Sequence, residues 1–285
     1  MGKNITVFGG DLRQLALSKL LREDGLNIVT WGLEKGNAPG CVPLDKALLS
    51  DILIFPLPVC RGENLNLPLT DMKLSAAELL GRLSVDQILL GGAIDGTAHD
   101  LVERYGLTMW DYYNREDVQV ANAIPTAEGA IMRMMEETEY TVQDSRCLVI
   151  GYGRIGKALA HRLQALGATV TVAARKTSDL AWIRACGCRA VLLSEIREKL
   201  GDSDVIFNTV PSRVLGESDL LLIQRSCLLV ELASLPGGFD LDGVKRSGLQ
   251  CIEERGLPGK VAPLSAAWAI KEGIYRTLEE QGVKL

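Results

Sequence analysis

The sequence predicts an α/β protein of two doubly wound, Rossmann-like parallel-sheet domains joined by hinge helices. Three observations predict it. Apolar strand-length runs alternate with helix-length segments along the chain. The alternation restarts once, after a long helical stretch, and the restart carries a glycine fingerprint between strand and helix. In the first series, "NITVF" (4–8), "NIVTW" (27–31), "DILIFPL" (51–57), "QILLGG" (87–92) and "LTMW" (107–110) read as strands, with helix-like segments such as "DLRQLALSKLLRE" between them. The polar "NREDVQVAN" then precedes "IPTAEGAIMRMMEETEY". There Pro125 and Thr126 mark a helix start, and Ile131, Met134 and Met135 recur at helical spacing.

"RCLVIGYG", "TVTVAA", "DVIFNTV", "CLLVEL" and "QCIEE" are the strands of the second series. The closing "LSAAWAIKEGIYRTLEEQ" is long and amphipathic, needs a surface to cover, and is expected to return to the first domain. These boundaries give a substrate and partner domain over 1–124 completed by 264–285, a linking helix over 125–141, and a nucleotide-binding domain over 142–263. The helices near 125–141 and 264–282 would form a hinge, with a ligand cleft between the lobes.

Composition sets the broad class. With 285 residues, 47% apolar and 24% charged, the chain can fill two cores. A net charge of −5 with dispersed basic residues supplies no face for nucleic acid, and no apolar run reaches membrane-spanning length. "MGKNITVFGG" enters a strand directly, without the apolar region of an export signal, so a cytoplasmic location is expected. The seven cysteines are odd in number and scattered, which reads as reduced thiols, and Cys186 and Cys188 alone fall short of a zinc pattern. No metal is expected.

In "LVIGYGRIGKALA" (148–160) each glycine has its own task. Gly151 permits the tight turn, Gly153 lets the backbone approach a pyrophosphate, and Gly156 allows close helix-to-strand packing. Tyr152, Arg154 and Ile155 share the loop and the helix N-terminus that would face the phosphates. The second strand ends Ala173-Ala174-Arg175-Lys176, where an NAD enzyme usually offers an acidic residue to the ribose. Two cations and no carboxylate suit a ribose 2′-phosphate, which favours NADP; Arg175 as a simple loop charge is the alternative. Asn208, Thr209, Val210 and Pro211, with Leu232 and Ala233, follow later strands at their carboxyl ends. Backbone groups there are expected to fix the nicotinamide ring and amide.

The first lobe opens with "VFGGDLRQ", which imitates a nucleotide turn but lacks the third glycine. Asp11 at the helix start would disfavour a phosphate and acts naturally as a cap, so no second dinucleotide site is read here.

Taken in order, "GGDLRQ" (9–14), "NAIPTAEG" (122–129), "GYGRIG" (151–156), "NTVPS" (208–212), "LASLPGG" (232–238) and "GLPGKVAP" (256–263) carry a resemblance over essentially the whole chain. The chain resembles the dipicolinate synthase A-subunit family, the NADP-binding component of the enzyme that makes pyridine-2,6-dicarboxylate in spore-forming bacteria. "APLSAAW" departs from the family pattern at Leu264, Ser265 and the neighbourhood of Trp268, where a lysine, a threonine and a glycine are expected. The resemblance implies oxidation of dihydrodipicolinate, or of its hydroxylated tetrahydro precursor, in the lysine branch of the aspartate pathway. It also implies a hetero-oligomer with the flavoprotein-like B-subunit of dipicolinate synthase, in the mother cell of a sporulating bacterium.

A dicarboxylate calls for cations and for orientation over the cofactor. Asp11, Arg13, Arg61 and Asn122 are the candidates to line the substrate cleft, arginine because its fork matches a carboxylate; both arginines also read as solvated charges. Thr126 and Glu128, at the expected helix start, and His99, near a strand end, are the candidates for acid–base work; Glu128 also reads as an electrostatic helix cap. The histidine–carboxylate pair of 2-hydroxyacid dehydrogenases is not evident. Two further readings stay open: a nucleotide-binding regulatory subunit whose partner holds the chemistry, and a stand-alone reductase of a small acid.

Overall fold

The structure is a computed structural model that describes residues 2–285. The chain divides into two compact units, one running to Asn122 and including Pro258–Leu285, the other spanning Ala123–Leu257.

The first unit contains β1 (Asn4–Phe8), α1 (Leu12–Glu23), β2 (Asn27–Trp31), α2 (Leu44–Ala47) and β3 (Ile52–Ile54). It continues with the short antiparallel pair β4 (Cys60–Arg61) and β5 (Asn64–Leu65), then α3 (Ala76–Leu80), β6 (Ile88–Gly91), α4 (Gly96–Arg104) and β7 (Met109–Asp111). Its main sheet is parallel in the order β2-β1-β3-β6-β7. The two-residue period of a strand divides its core. Ile5 and Val7 pack with Leu17, Leu20 and Leu21 of α1, while Phe8 and Leu53 pack with Leu79, Leu80 and Leu101 from α3 and α4. Both faces of the sheet are therefore covered, as a parallel sheet requires.

α5 (Glu116–Glu137) contributes to both units. It starts well before the predicted boundary, so Pro125 lies inside the helix and Thr126 and Glu128 do not open it. Glu116 and Asp117 in its first turn suit the positive end of the helix dipole. An interior proline costs roughly 3 kcal/mol through a lost hydrogen bond and a ring clash. Burial of Ala123, Ala127, Ala130, Ile131 and Met134 opposes that cost, whereas Met135, placed on the apolar face by its spacing, is exposed.

The second unit contains β8 (Arg146–Ile150), α6 (Arg154–Ala165), β9 (Thr169–Ala174), α7 (Thr177–Ala185), β10 (Arg189–Leu192) and α8 (Arg197–Leu200). It ends with β11 (Val205–Asn208), α9 (Glu217–Leu220), β12 (Leu228–Glu231), α10 (Leu241–Ser247) and β13 (Gln250–Glu253). Its six strands run parallel in the order β10-β9-β8-β11-β12-β13, the order of dinucleotide-binding domains. β10 has no counterpart among the predicted strands; it is a four-residue edge strand with only Val191 buried.

α11 (Leu257–Val261) leads into α12 (Pro263–Glu280), whose Ile270, Ile274 and Leu278 join the α1 side of the first core. Each is almost fully buried, worth about 1.5–3 kcal/mol. Pro263 at the first turn suits a helix start, and Leu264, Ser265 and Trp268, the departing stretch, lie exposed on that helix. The fold class is the predicted one. No helix among the described residues is long and apolar enough to cross a membrane.

Candidate functional site

In the second sheet the strand order reverses between β8 and β11, the crevice where doubly wound sheets place ligands. The glycine turn after β8 lies there, and its three glycines have distinct surroundings. Gly151 has φ +101°, and a Cβ on it would lie 2.5 Å from Thr209 Oγ1 and 2.9 Å from Val210 Cγ2. A Cβ on Gly156 would lie 2.2 Å from the Gly151 carbonyl oxygen, so α6 can approach the turn only without a side chain. A Cβ on Gly153 would meet nothing within 4 Å. That open space lies before a helix N-terminus without a side-chain cap. The first-turn N–H groups of a helix point outward and favour an anion. Backbone, dipole and space together fit a dinucleotide pyrophosphate.

The loops after β11 and β12 form the other wall. Thr209 directs both N–H and Oγ1 to the Ile150 carbonyl at 2.9 Å. Val210 N–H donates to Asn208 Oδ1, and Leu232 and Ala233 N–H groups donate to Asn208 O and Glu231 Oε1. The expectation that backbone donors here fix the nicotinamide is therefore corrected: these N–H groups hold the loops, and Pro211 has none. Asn208 is corrected likewise, because it is fully buried and its amide donates to Val210 O and Glu231 Oε1. Val210 and Pro211 are left to offer apolar surface.

At the end of β9, Ala174 is buried while Arg175 and Lys176 are exposed, and Arg175 forms no ion pair among the described residues. Within the glycine turn, Tyr152 is half-buried and lies under Lys157, whose Nζ is 5.4 Å from the ring centroid. Burial, then its hydrogen bond to Cys186, pushes the Tyr152 hydroxyl up to about 12. Arg154 opens α6 at the surface and Ile155 follows it, half-buried.

In the first unit, the substrate candidates do not form the expected free cluster. Asp11 caps α1 by accepting from Arg13 N–H at 3.0 Å. The Arg13 guanidinium belongs to a residue only 6% exposed, donates to both Asp11 oxygens at 2.8–3.2 Å, and donates to Leu57 O at 2.8 Å. Burial acts to lower its pKa, but the Asp11 hydrogen bond and charge hold it above the ordinary 12.5. Arg13 as an open carboxylate anchor is thus corrected: its charge is already balanced. Arg61 is exposed on β4 and has no ion pair among the described residues. Asn122, half-buried on α5, donates to the Tyr113 hydroxyl at 3.1 Å.

Thr126 is buried on α5, and Glu128 is exposed there, accepting from Arg162 Nε at 3.1 Å. Neither stands at a helix start. His99 is exposed in the first turn of α4, in a shallow pocket with Ile94, Glu103 and Met109. That pocket contains neither Asp11 nor Arg13. The residue that sequence reasoning passed over is Glu231, which ends a predicted strand but was given no role; its one signal was a carboxylate closing the apolar run "LLVE".

Residues 4–113 match the family profile described as the N-terminal domain of the dipicolinate synthase A-subunit. Residues 116–233 match that described as D-isomer specific 2-hydroxyacid dehydrogenase, NAD binding domain. The chain is 29% identical to the dipicolinate synthase A-subunit of Bacillus subtilis (strain 168), over 98% of this chain and 97% of that protein. The crystal structure of the Bacillus subtilis dipicolinate synthase A-subunit superposes with TM-score 0.85 and 30% identity, covering 98% of this chain and 97% of that one. That of the Bacillus halodurans A-subunit gives 0.88 and 27%, covering 98% of each. A transhydrogenase from Sinorhizobium meliloti, at 13% identity and TM-score 0.68 over 98% of this chain and 94% of that one, shares the fold.

Proposed function

The chain belongs to the dipicolinate synthase A-subunit family and carries an NAD-binding dehydrogenase domain, and on that premise we propose that it forms pyridine-2,6-dicarboxylate by NADP-dependent oxidation of dihydrodipicolinate or its hydroxylated tetrahydro precursor. The observation that carries this reading is the open turn at Gly153, at the switch point of a dinucleotide-type sheet, in a chain alike to the family over nearly its whole length. Gly151, Gly153, Arg154, Ile155 and Gly156 would hold the pyrophosphate. Arg175 and Lys176, exposed where the strand end carries no carboxylate, support a ribose 2′-phosphate.

Converting the dihydropyridine to the pyridine removes one hydride and one proton; the hydroxylated precursor also loses water. A bound oxidised nicotinamide supplies the hydride acceptor. The chain's own residues must then hold a dianion and keep the ring oriented, which is work of positioning and charge complementarity. Arg61, without an ion pair among the described residues, is the cation of the expected set still able to take a carboxylate. The Asp11–Arg13 pair serves to shape the first unit. The family name also supports a partner chain, the flavoprotein-like B-subunit, and a role in sporulation within the mother-cell cytoplasm.

The test is reduction of NADP by the purified chain with freshly generated dihydrodipicolinate, with and without the co-expressed partner. Turnover by the chain alone, or by the complex but not by the partner alone, is the expected outcome. Equal turnover by the partner alone would move the chemistry to that chain and leave this one in a regulatory role. Turnover of other small acids, with none of dihydrodipicolinate, would favour a stand-alone dehydrogenase.

A further inference from the structure

Glu231 is 1% exposed at the end of β12, yet its carboxylate has four N–H donors. Asn208 Nδ2 at 2.6 Å and Ala233 N–H at 3.0 Å approach Oε1; Gly238 N–H at 2.8 Å and Phe239 N–H at 3.2 Å approach Oε2. Asn208 and Glu231 are register partners on adjacent parallel strands, so one acceptor group gathers two separate loops. The loop after β11 is then closed by Asn208, which accepts from Val210 N–H and donates to Val210 O. The loop after β12 turns back so that Val214 and Leu215 N–H groups donate to Gly238 O. Space is tight there: a Cβ on Gly238 would lie 2.4 Å from Asn208 Nδ2.

A buried carboxylate is costly unless it is fully hydrogen-bonded, and this one is surrounded by donors alone. It touches no open surface, so it is not a catalytic residue. Its chemistry fits an internal clamp. In a sheet of this order, one half (β10, β9, β8) serves the adenosine end of a dinucleotide and the other (β11, β12, β13) serves the second nucleotide. Both loops held by Glu231 belong to the second half.

We propose that Glu231 is a positioning residue for the nicotinamide end of the cofactor: it fixes the Asn208–Pro211 and Ala233–Phe239 segments as one wall, while the phosphate turn at Gly151–Gly156 is built independently of it. The proposal rests on the reading of this unit as a dinucleotide site. It distinguishes a half-site defect from a general one, because a fragment that lacks nicotinamide does not need the wall.

The experiment compares Glu231→Gln with the natural chain, titrating NADPH and NADH as whole cofactors and ADP-ribose with and without its 2′-phosphate as fragments. An amide keeps the shape but turns an N–H toward two existing donors. Whole-cofactor binding is expected to weaken roughly ten- to hundredfold, the scale of a lost hydrogen bond to a charged group, with fragment binding unchanged. Parallel weakening of cofactor and fragment, or unchanged cofactor binding, overturns the proposal. Failure of the natural chain to bind any of the four overturns the dinucleotide reading itself. Should Glu231→Gln not fold, Gly238→Ala presses on Asn208 from the other loop; the same asymmetric loss is expected, and a symmetric loss or none overturns the clamp.

Discussion

Replacing Arg13 by alanine should destabilise the first unit before it affects any ligand. The guanidinium makes three contacts with Asp11, at 2.9, 3.2 and 2.8 Å, and one with Leu57 O at 2.8 Å, from a side chain only 7% exposed. Removing it leaves the Asp11 carboxylate, 25% exposed, and a buried carbonyl without that donor. Breaking a fully buried pair costs about 3–5 kcal/mol; because water reaches part of Asp11, the lower end applies, about 3 kcal/mol with the lost stem packing included. At this unit size that lowers the unfolding midpoint by roughly 6–12 °C. The assay is thermal unfolding followed by far-ultraviolet circular dichroism, with urea midpoints as a check. Arg13→Lys keeps the charge without the fork and should fall between the two. A natural midpoint in Arg13→Ala, together with lost turnover, would refute the reasoning and return the guanidinium to the substrate.

Three further outcomes follow from the second unit. Gly153→Ala should weaken dinucleotide binding about tenfold with little change in urea midpoint, whereas Gly156→Ala, 2.2 Å from the Gly151 carbonyl, should lose about 1–3 kcal/mol of stability. The reverse pattern would contradict the division of tasks between the two glycines. Arg175→Asp should weaken NADP more than NAD, by about 1.5–3 kcal/mol, measured by titration of each; equal losses count against the 2′-phosphate contact. Asp204 is held below its ordinary 3.8 chiefly by its hydrogen bond from Arg146, with burial opposing. Its folded value is thus the lower one, so its contribution is present above the unfolded value and is lost as pH falls through the folded one. Asp204→Asn should accordingly be less stable at neutral pH and converge on the natural chain below about pH 4, since paired carboxylates are protonated there. A constant difference at all pH values contradicts this.

The features legible in the sequence were those whose cause is local. Gly151, Gly153 and Gly156 could be given separate tasks because each depends on a turn and the next helix, and their surroundings agree with those tasks. Most strands of both sheets were legible for the same reason, being apolar runs bounded by turns. What was missed depends on distant partners. Arg13 meets Leu57 O, 44 positions away, and Asn208 meets Glu231, 23 positions away. A loop arginine looks free until its neighbour across the sheet is known, and a strand-end asparagine looks like a ligand contact until a buried carboxylate is found beside it. Pro125 failed for a different reason: a proline ordinarily marks a helix start, and only the burial of the alanine-rich face around it allows the helix to pass through.

The two units begin alike, and the difference between their first turns explains why only one suits a phosphate. In both, a strand enters a glycine turn and a helix follows at the switch point of a parallel sheet. In the first unit a Cβ on Gly9 would lie 2.2 Å from Leu67 Cδ2, and Gly10 donates to Asn66 O, so the segment after β5 already covers the turn. Asp11 caps the helix, Arg13 reaches across the crevice to Leu57 O, and Gln14 reaches Phe55 O. The positive end of that helix is thus met by the chain's own carboxylate. In the second unit the equivalent cap is Gly153, which has no side chain to offer and nothing in front of it. A helix N-terminus that the chain leaves uncapped at a switch point retains its attraction for an anion from outside. The choice between Asp11 and Gly153 at the cap, one residue in each unit, therefore separates a scaffold turn from a cofactor turn.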